Sequence, residues 1–214
     1  MDRGCAIRTC HLVIFARYPR FGRVKRRLAR DIGAMAALRF YRAQFDRAIR
    51  TLGGDPRWRT WLALTPDGAD GPALTPARRR GVAILPQGRG DLGQRMARIL
   101  RSLPPGPAVI LGSDIPGVTR AHARAAFDRL GTHEAVLGPA PDGGYWLIGL
   151  RRAAPLPDRL FAGVRWSSAY AYEDTLAGFP ASWRVAREAE LEDIDDGDDY
   201  QGWLGSDGLG REKL

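Results

Sequence analysis

The stretch "VAILPQGRGDLGQRMARIL", Val82–Leu100, combines an apolar run, a glycine-rich turn and an amphipathic segment. Val82–Leu85 has the length and composition of a buried strand. After the turn, apolar residues recur at helical spacing, at Leu92, Met96, Ile99 and Leu103. The stretch therefore predicts a strand–turn–helix unit, which is the building block of an α/β fold.

The same alternation runs through the first two thirds of the chain. Further strands are predicted at His11–Ala16, Trp58–Leu64, Ala108–Leu111 and Ala135–Leu137, and "DGGYWLIGL" predicts one more. Helical spacing lies between them, at Leu38–Ile49 and Ala123–Leu130, and again in "SSAYAYEDTLAGF". We expect a mainly parallel sheet with helices on both faces and a ligand site beyond the carboxyl ends of the strands. One domain is expected over residues 1–214, with its core at about residues 11–204.

Charge is distributed unevenly along the chain. The net charge is +9, with 33 basic and 24 acidic residues among 214. Arg17–Arg30 holds seven basic residues in fourteen, whereas "EAELEDIDDGDD", Glu188–Asp199, holds eight acidic residues and no basic one. Because the charge forms no stripe interleaved with aromatic residues, this pattern favours an anionic small ligand and a nearby metal over nucleic acid. A nucleic-acid-binding module is kept as an alternative, because the net charge is high.

Composition also bears on location. No window approaches the roughly 20 apolar residues that a membrane span needs. The first apolar run, "HLVIFA", is followed at once by arginines and is too short for a secretory signal, which predicts a cytoplasmic protein. Cys5 and Cys10 have no Cys or His partners at metal-site spacing and are expected to be reduced thiols.

The loop after the first strand, "ARYPRFGRVKRRLAR", predicts a phosphate site. Pro19 and Gly22 shape a turn, and we expect it to lead into a helix that carries Lys25, Arg26 and Arg27. The free N–H groups of a helix N-terminus and neighbouring basic side chains together bind phosphate. The spacing is not that of a Walker A loop. The alternative is a solvated basic helix face.

Two further loops follow predicted strands. "VILGSDIPG" places Asp114 at the carboxyl edge of the sheet, where it could ligate Mg²⁺ or Mn²⁺ or could cap a turn. In "LGPAPDGGYWLIGL", Asp142–Gly144 predicts a hairpin turn. Its paired glycines would also let the backbone approach a sugar or nucleotide, with Asp142 facing the ligand and Tyr145 behind it.

The glycines Gly88, Gly90 and Gly93 match G-x-G-x-x-G, the dinucleotide fingerprint. Pro86 and Gln87 separate the strand from the first of them, although the fingerprint needs a tight turn there. We therefore expect these glycines to close a nucleotide site, and an NAD(P)-dependent oxidoreductase is the alternative.

Six segments in order resemble the signatures of one family: "FARYPRFGRVKRRLA", "PQGRGDLGQRM", "VILGSDIPG", "LGPAPDGGYWLIGL", "FAGVRWSS" and "DIDDGDD". The family comprises small bacterial nucleotide-diphospho-sugar transferase-like proteins of the arsenosugar-biosynthesis glycosyltransferase type. It is similar in fold to the guanylyltransferases of molybdenum-cofactor and 2-phospholactate metabolism. The resemblance covers about residues 11–200. It implies a Rossmann-like GT-A three-layer sandwich, a nucleotide-activated donor and a divalent cation.

The resemblance also implies roles for single residues. Nucleotide and donor binding would fall to Arg17, Pro19, Gly22, Lys25, Arg27, Gly90, Asp91 and Arg95. The sugar or acceptor side would be lined by Gly143, Gly144, Tyr145, Trp166 and Ser167. Asp114 would hold Mg²⁺ or Mn²⁺, with Asp142, Asp193 or Asp195 as the second ligand, and Asp142 and Lys25 would be catalytic.

The chain departs from the family pattern at three points. Arg17 and Arg26 stand where Lys and Thr are common, so a hydroxyl is lost from the phosphate loop. A single Asp114 replaces the D-x-D pair of many GT-A enzymes.

The expected activity is transfer of a glycosyl group from a nucleoside diphosphate sugar to the hydroxyl of a small-molecule acceptor. The alternative within the same fold is a guanylyl- or cytidylyltransferase that releases pyrophosphate from a nucleoside triphosphate.

Overall fold

The computed structural model describes residues 9–206, so Cys5 lies outside the described residues. Cys10 is a free thiol. The strands within this range are β1 (His11–Arg17), β2 (Arg59–Thr65), β3 (Ala83–Pro86), β4 (Ala108–Gly112), β5 (Ala135–Pro139), β6 (Tyr145–Leu150) and β7 (Val185–Arg187). The α-helices are α1 (Leu28–Ile32), α2 (Ala34–Leu52), α3 (Thr75–Arg79), α4 (Leu92–Ser102), α5 (Arg120–Arg129), α6 (Ala171–Ala177) and α7 (Gly197–Ser206).

The seven strands form one sheet in the order β3-β2-β1-β4-β6-β5-β7. Strand β6 runs antiparallel to both of its neighbours, and the other pairings are parallel. The predicted mainly parallel sheet is therefore confirmed. Strands β5 and β6 form the hairpin that Asp142–Gly144 predicts, and the returning strand lies between β4 and β5.

Alternate residues of the central strands pack against helices on opposite faces of the sheet. Leu12 and Ile14 of β1 share a buried cluster with residues of α2 and α5. Val13, between them, belongs to the cluster on the other face, with residues of α4 such as Leu100. Because side chains alternate along a strand, a run that is apolar throughout requires cover on both faces. The result is a helix–sheet–helix sandwich. Among residues 9–206, none of the helices is both long enough and apolar enough to cross a membrane.

A buried carboxylate ties the connection between α2 and β2 to the start of α5. Asp55 accepts hydrogen bonds from the backbone N–H, Nε and Nη2 of Arg57 at 3.0, 2.8 and 2.7 Å. The Nε atom of Arg120 lies 3.6 Å from the same carboxylate. These hydrogen bonds, with the charges of both arginines, lower the pKa of Asp55 to about 2 although burial opposes the shift.

The Asp55→Asn substitution is therefore expected to lower the free energy of unfolding at pH 7 by about 1 kcal/mol. Because the folded-state pKa is depressed, the stabilisation is present above pH 4 and is lost as the pH falls toward 2. Urea unfolding of both proteins from pH 7 to pH 2 measures this difference, which should shrink at the acid end. Asp158→Asn, at an exposed position, is the control. A difference that persists unchanged at pH 2 would contradict the assignment.

Candidate active site

A cleft of about 540 Å³ lies at the carboxyl edge of the sheet. Its walls come from the ends of β1, β2 and β4, from the loop that follows β1, and from the start of α4. The charged side chains that line it are Arg17, Arg23, Lys25, Arg26, Arg27, Arg95, Asp114 and Asp195. The topology thus joins the basic segment near the N-terminus to the acidic segment near residue 195, which are far apart in the sequence.

Three carboxylates gather at one end of this cleft. Asp114 follows β4, whereas Asp193 and Asp195 lie in the segment between β7 and α7. One oxygen from each of the three lies within 4.8 Å of the others. We call Asp114, Asp193 and Asp195 the acidic triad. Of the predicted second ligands, Asp193 and Asp195 join Asp114 in it, and Asp142 does not.

Local sequence explains how one segment supplies two of the carboxylates. Ile194 is buried against Leu28 and Phe40 of α1 and α2. In an extended segment, neighbouring side chains point to opposite sides, so burial of Ile194 turns Asp193 and Asp195 together toward the cleft. Backbone hydrogen bonds from Glu188 and Leu191 to β5 hold the preceding part of the segment at the edge of the sheet.

Lys25 occupies the middle of the acidic triad. Its Nζ lies 2.8 Å from Asp114 Oδ2, 2.7 Å from Asp195 Oδ1 and 3.8 Å from Asp193 Oδ2. Its side chain is only 5% exposed. A buried ammonium is stable only with opposite charge and hydrogen-bond acceptors around it, and the triad supplies both.

The predicted helix at Lys25–Arg27 is wrong. The helix α1 begins at Leu28 and has five residues, and Lys25–Arg27 precede it in the loop. Lys25 has φ +43, a conformation that a lysine adopts only when tertiary contacts stabilise it. The ion pairs with the triad supply those contacts. Arg27 also turns to acidic side chains, with Nη1 3.3 Å from Asp195 and Nη2 3.5 Å from Asp196.

The triad carries more negative charge than one lysine balances. Burial lowers the pKa of Lys25, but the charges of Asp114 and Asp195 outweigh it and raise that pKa. Burial likewise raises the pKa of Asp195, but the Lys25 ammonium outweighs it and holds that pKa below its usual range. Burial, together with the charges of Asp195, Asp114 and Asp142, raises the pKa of Asp193 to about 7 although Lys25 opposes it. Three carboxylate donors with excess negative charge match the preference of a hard divalent cation for oxygen ligands. The residues therefore fit a Mg²⁺ or Mn²⁺ ion.

A tyrosine that the sequence analysis missed joins two strand ends under the cleft. The Tyr41 hydroxyl of α2 donates to the carbonyl of Arg17 and accepts from its N–H, both at 2.9 Å. It also lies 3.2 Å from Ser113 Oγ, one residue before Asp114. Burial, and then the charge of Asp114, raises the pKa of Tyr41 to about 12, so the hydroxyl keeps its proton. Its helical spacing had indicated only a core residue, because the spacing does not show what the hydroxyl contacts.

Gln87 is a second residue that the sequence analysis did not assign to the site. Its buried Nε2 donates to the carbonyls of Ala16 and Ala63 at 2.9 and 2.8 Å, which links β1 to β2. Its Oε1 accepts from Arg95 Nη1 at 2.9 Å. Burial, followed by the charge of Arg17, lowers the pKa of Arg95. The guanidinium groups of Arg17 and Arg95 thus repel one another at the cleft, and Gln87 orients the guanidinium group of Arg95.

The glycine fingerprint has a structural explanation. A Cβ on Gly93 would lie 2.7 Å from both Phe161 and Trp166, so this glycine lets α4 pack closely against the segment that carries them. Gly90 and Asp91 do not line the cleft. The Asp91 carboxylate accepts from Gln94 N at 2.8 Å in a capping box, which places a negative charge at the N-terminus of α4. A dinucleotide pyrophosphate binds at the N-terminus of the helix after the first strand, whereas this loop follows edge strand β3 and carries a carboxylate there.

The residues predicted for the acceptor side divide into two groups. Ser167 lines the cleft. Tyr145 and Trp166 pack edge to face at 6.3 Å, and burial raises the pKa of Tyr145, whose hydroxyl accepts a hydrogen bond from Thr175. Neither ring lines the cleft, and both pack against the buried cluster that contains residues of α4.

The hairpin loop lies beside the acidic triad. Asp142 is exposed, accepts from Gly144 N at 2.8 Å, and is close enough for its charge to act on Asp193. Gly143 has φ +82, and a Cβ there would lie 2.2 Å from the carbonyl oxygen of Ala169, so only glycine fits this approach. Pro19 and Gly22 shape the loop after β1, and neither lines the cleft.

Comparison with known proteins identifies relatives of this chain and of its fold. A family model described as "Uncharacterized protein conserved in bacteria (DUF2064)" matches residues 48–168. The structure is similar to that of a candidate nucleotide-diphospho-sugar transferase from Desulfovibrio desulfuricans G20, with a TM-score of 0.82 and 27% identity over 94% of this chain and 88% of the other. A search of curated proteins found no significant match.

More distant structures share the fold alone. A cytidylyltransferase from Leptospira borgpetersenii has a TM-score of 0.59 and 15% identity over 96% of this chain and 89% of the other. Glucosyl-3-phosphoglycerate synthase from Mycobacterium tuberculosis, solved with Mn²⁺, UDP and glucosyl-3-phosphoglycerate, has a TM-score of 0.50 and 13% identity over 95% and 78%. The fold is thus that of the GT-A-like nucleotidyl and glycosyl transferases, as predicted. The chain belongs to the DUF2064 family.

Replacement of Lys25 should lower the stability of the protein and increase its response to Mn²⁺. Lys25→Met is expected to lower the free energy of unfolding by about 3 kcal/mol, because three partly buried carboxylates lose their counter-charge. Mn²⁺ should then raise the melting temperature of the variant more than that of the unmodified protein, because no ammonium competes for the carboxylates. Thermal unfolding followed by circular dichroism, with and without Mn²⁺, measures both effects.

Arg26→Met is the matched control, because Arg26 lies in the same loop, lines the same cleft and forms no ion pair within residues 9–206. Equal responses of the Lys25→Met and Arg26→Met proteins to Mn²⁺ would contradict the proposed competition.

Proposed function

We propose that this protein is a metal-dependent glycosyltransferase that moves a sugar from a nucleoside diphosphate sugar to the hydroxyl of a small acceptor. The observation that carries the proposal is the juxtaposition of the acidic triad with a cleft lined by Arg17, Arg27 and Arg95. A nucleoside diphosphate needs positive groups and a cation, and this cleft places arginines beside carboxylates that fit a divalent cation. The similarity to a candidate nucleotide-diphospho-sugar transferase supports the same class.

The cleft has the size and charge for the donor. Its volume of about 540 Å³ lies within the range of small-molecule sites. Arg17 and Arg95 would contact phosphate oxygens by charge-assisted hydrogen bonds, and Gln87 would hold Arg95 in place for this contact. Arg27 is 66% exposed and could leave its surface ion pairs at little cost to reach the ligand.

Transfer makes one bond and breaks another. The acceptor oxygen bonds to the anomeric carbon while the bond to the diphosphate oxygen breaks, and the nucleoside diphosphate leaves with the electron pair. Lys25 and the arginines would stabilise the negative charge that accumulates on this leaving group. A Mg²⁺ or Mn²⁺ ion that replaced the Lys25 ammonium between Asp114, Asp193 and Asp195 would supply further electrostatic stabilisation of the diphosphate.

Asp142 would receive the proton of the acceptor hydroxyl. It is exposed at the tip of the β5–β6 hairpin beside the triad, where an acceptor can reach it. Its hydrogen bond from Gly144 N orients the carboxylate. The proton would then pass to solvent.

A panel of nucleoside diphosphate sugars, each with Mg²⁺ or Mn²⁺ and candidate hydroxyl acceptors, tests the proposed activity. We expect one donor to release nucleoside diphosphate, and we expect Asp114→Asn to reduce kcat/KM at least about 100-fold. Asp158→Asn is the matched control. No release from any donor would overturn the glycosyltransferase proposal. Pyrophosphate release from GTP or CTP with a phosphorylated acceptor would identify the protein as a nucleotidyltransferase instead.

The role of Asp142 has its own test. Asn can still accept the hydrogen bond from Gly144 N, so Asp142→Asn keeps the turn and removes only the base. We expect kcat to fall about 100-fold and KM for the donor to change little. Steady-state kinetics with varied donor separates the two parameters. An unchanged kcat would exclude Asp142 as the base.

A further inference from the structure

Helix α7 begins almost directly after the acidic triad. Asp195 is the last member of the triad along the chain, and α7 starts two residues later, at Gly197. Three more aspartates lie at this boundary, at positions 196, 198 and 199. They are not members of the triad, and the proposed transfer reaction gives them no role. Their hydrogen bonds show what two of them do.

Asp196 and Asp199 cap the start of α7 reciprocally. Asp196 Oδ1 accepts from the backbone N–H of Asp199 at 3.2 Å, and Asp199 Oδ2 accepts from the backbone N–H of Asp196 at 3.2 Å. This exchange of hydrogen bonds across the first turn is a capping box, with Asp196 at the N-cap. The negative charges are also favourable here, because the helix dipole is positive at its N-terminus. The capping box fixes the backbone where the acidic segment enters the helix.

Asp199 makes one hydrogen bond more than a capping box needs. Its Oδ2 atom also accepts from the backbone N–H of Asp195, at 2.8 Å. This bond joins α7 to the triad itself. Because it is made to the backbone of Asp195, it leaves both oxygens of the Asp195 carboxylate to the cleft. There Oδ1 lies 2.7 Å from Lys25 Nζ and Oδ2 lies 3.3 Å from Arg27 Nη1.

Helix α7 is itself held in place by α1 and α2. The rings of Tyr200 and Trp203 pack edge to face against Phe40 of α2, each at 5.3 Å between centroids. Asp31 of α1 accepts from the backbone N–H of Gly197 at 2.8 Å. The carboxylate in the first turn of α7 therefore acts on the triad from an anchored helix.

We propose that Asp199 is a positioning residue of the metal site, which acts by fixing Asp195 beside Asp114 and Asp193. Carboxylate ligands of metal ions are themselves held by hydrogen bonds, and loss of such a bond typically weakens metal binding by about 10- to 100-fold. Asp195 lies between β7 and α7, outside both elements, so its backbone depends on contacts of this kind. The role rests on the proposed metal dependence, and it makes the start of α7 part of the active site.

Mn²⁺ binding without substrate, measured from the electron paramagnetic resonance signal of the free ion, tests the proposal. We expect Asp199→Ala to weaken Mn²⁺ binding about tenfold or more, because the backbone N–H of Asp195 loses its acceptor. Asp199→Asn should stay within about threefold of the unmodified protein, because its side-chain oxygen accepts from the same N–H groups. Circular dichroism measures the helix content of each variant.

Two matched controls separate the bond to Asp195 from charge and from helix stability. Asp198→Ala removes an equal charge from the same turn, at an exposed side chain. Asp31→Ala removes another hydrogen bond between a carboxylate and the start of α7. Each should change the Mn²⁺ dissociation constant less than about twofold, because Asp199 still holds Asp195.

Four results would count against the proposal. Equal weakening by Asp198→Ala and Asp199→Ala, or an Asp199→Asn protein as weak as Asp199→Ala, would overturn it in favour of charge alone. Equal weakening by Asp31→Ala would overturn it in favour of general support of α7. Mn²⁺ binding that is equally tight in the unmodified and Asp199→Ala proteins would overturn the positioning role and leave the metal dependence standing. If neither the unmodified nor the Lys25→Met protein binds Mn²⁺, the metal-dependent function and the positioning role both fail.

Discussion

The ion cluster of Lys25 with Asp114, Asp193 and Asp195 is the constraint on which the site depends. It joins the loop after β1, the end of β4 and the segment before α7, and its Lys25–Asp195 pair spans 170 residues of sequence. Charges at this depth are costly unless each finds a partner, so the cluster holds the loop after β1 against the sheet edge. The same arrangement leaves negative charge in excess, so the cluster fits a divalent cation.

Neutral hydrogen bonds build the walls around these charges. Tyr41 joins the ends of β1 and β4, and Gln87 joins β1 to β2 and holds Arg95. Because these side chains are buried and their bonds are made within the protein, the strand ends are fixed before a ligand arrives. Preorganised donors stabilise developing charge better than groups that must reorient, so in the proposed transfer these two residues would position the site without reacting in it.

Much of the architecture could be predicted from the sequence because it rests on local patterns. Strand–helix alternation indicated the parallel sheet, and the Asp142–Gly144 turn indicated the β5–β6 hairpin. The insertion of β6 between β4 and β5 was not predictable, because strand order depends on which edges pair in three dimensions. The helix expected at Lys25–Arg27 was wrong for a related reason. Its basic composition was interpreted locally, but distant carboxylates determine the conformation at Lys25.

By itself, the sequence determined the class of fold and the position of Asp114 at the carboxyl edge of the sheet. It also determined the separation of charge into a basic and an acidic segment. These features could be predicted because apolar periodicity and charge are properties of consecutive residues. Only the tertiary structure decided that Asp193 and Asp195 complete a triad with Asp114, that Lys25 lies inside it, and that Tyr41 and Gln87 support it. Those contacts join segments up to 170 residues apart, and such distances close only when the sheet assembles.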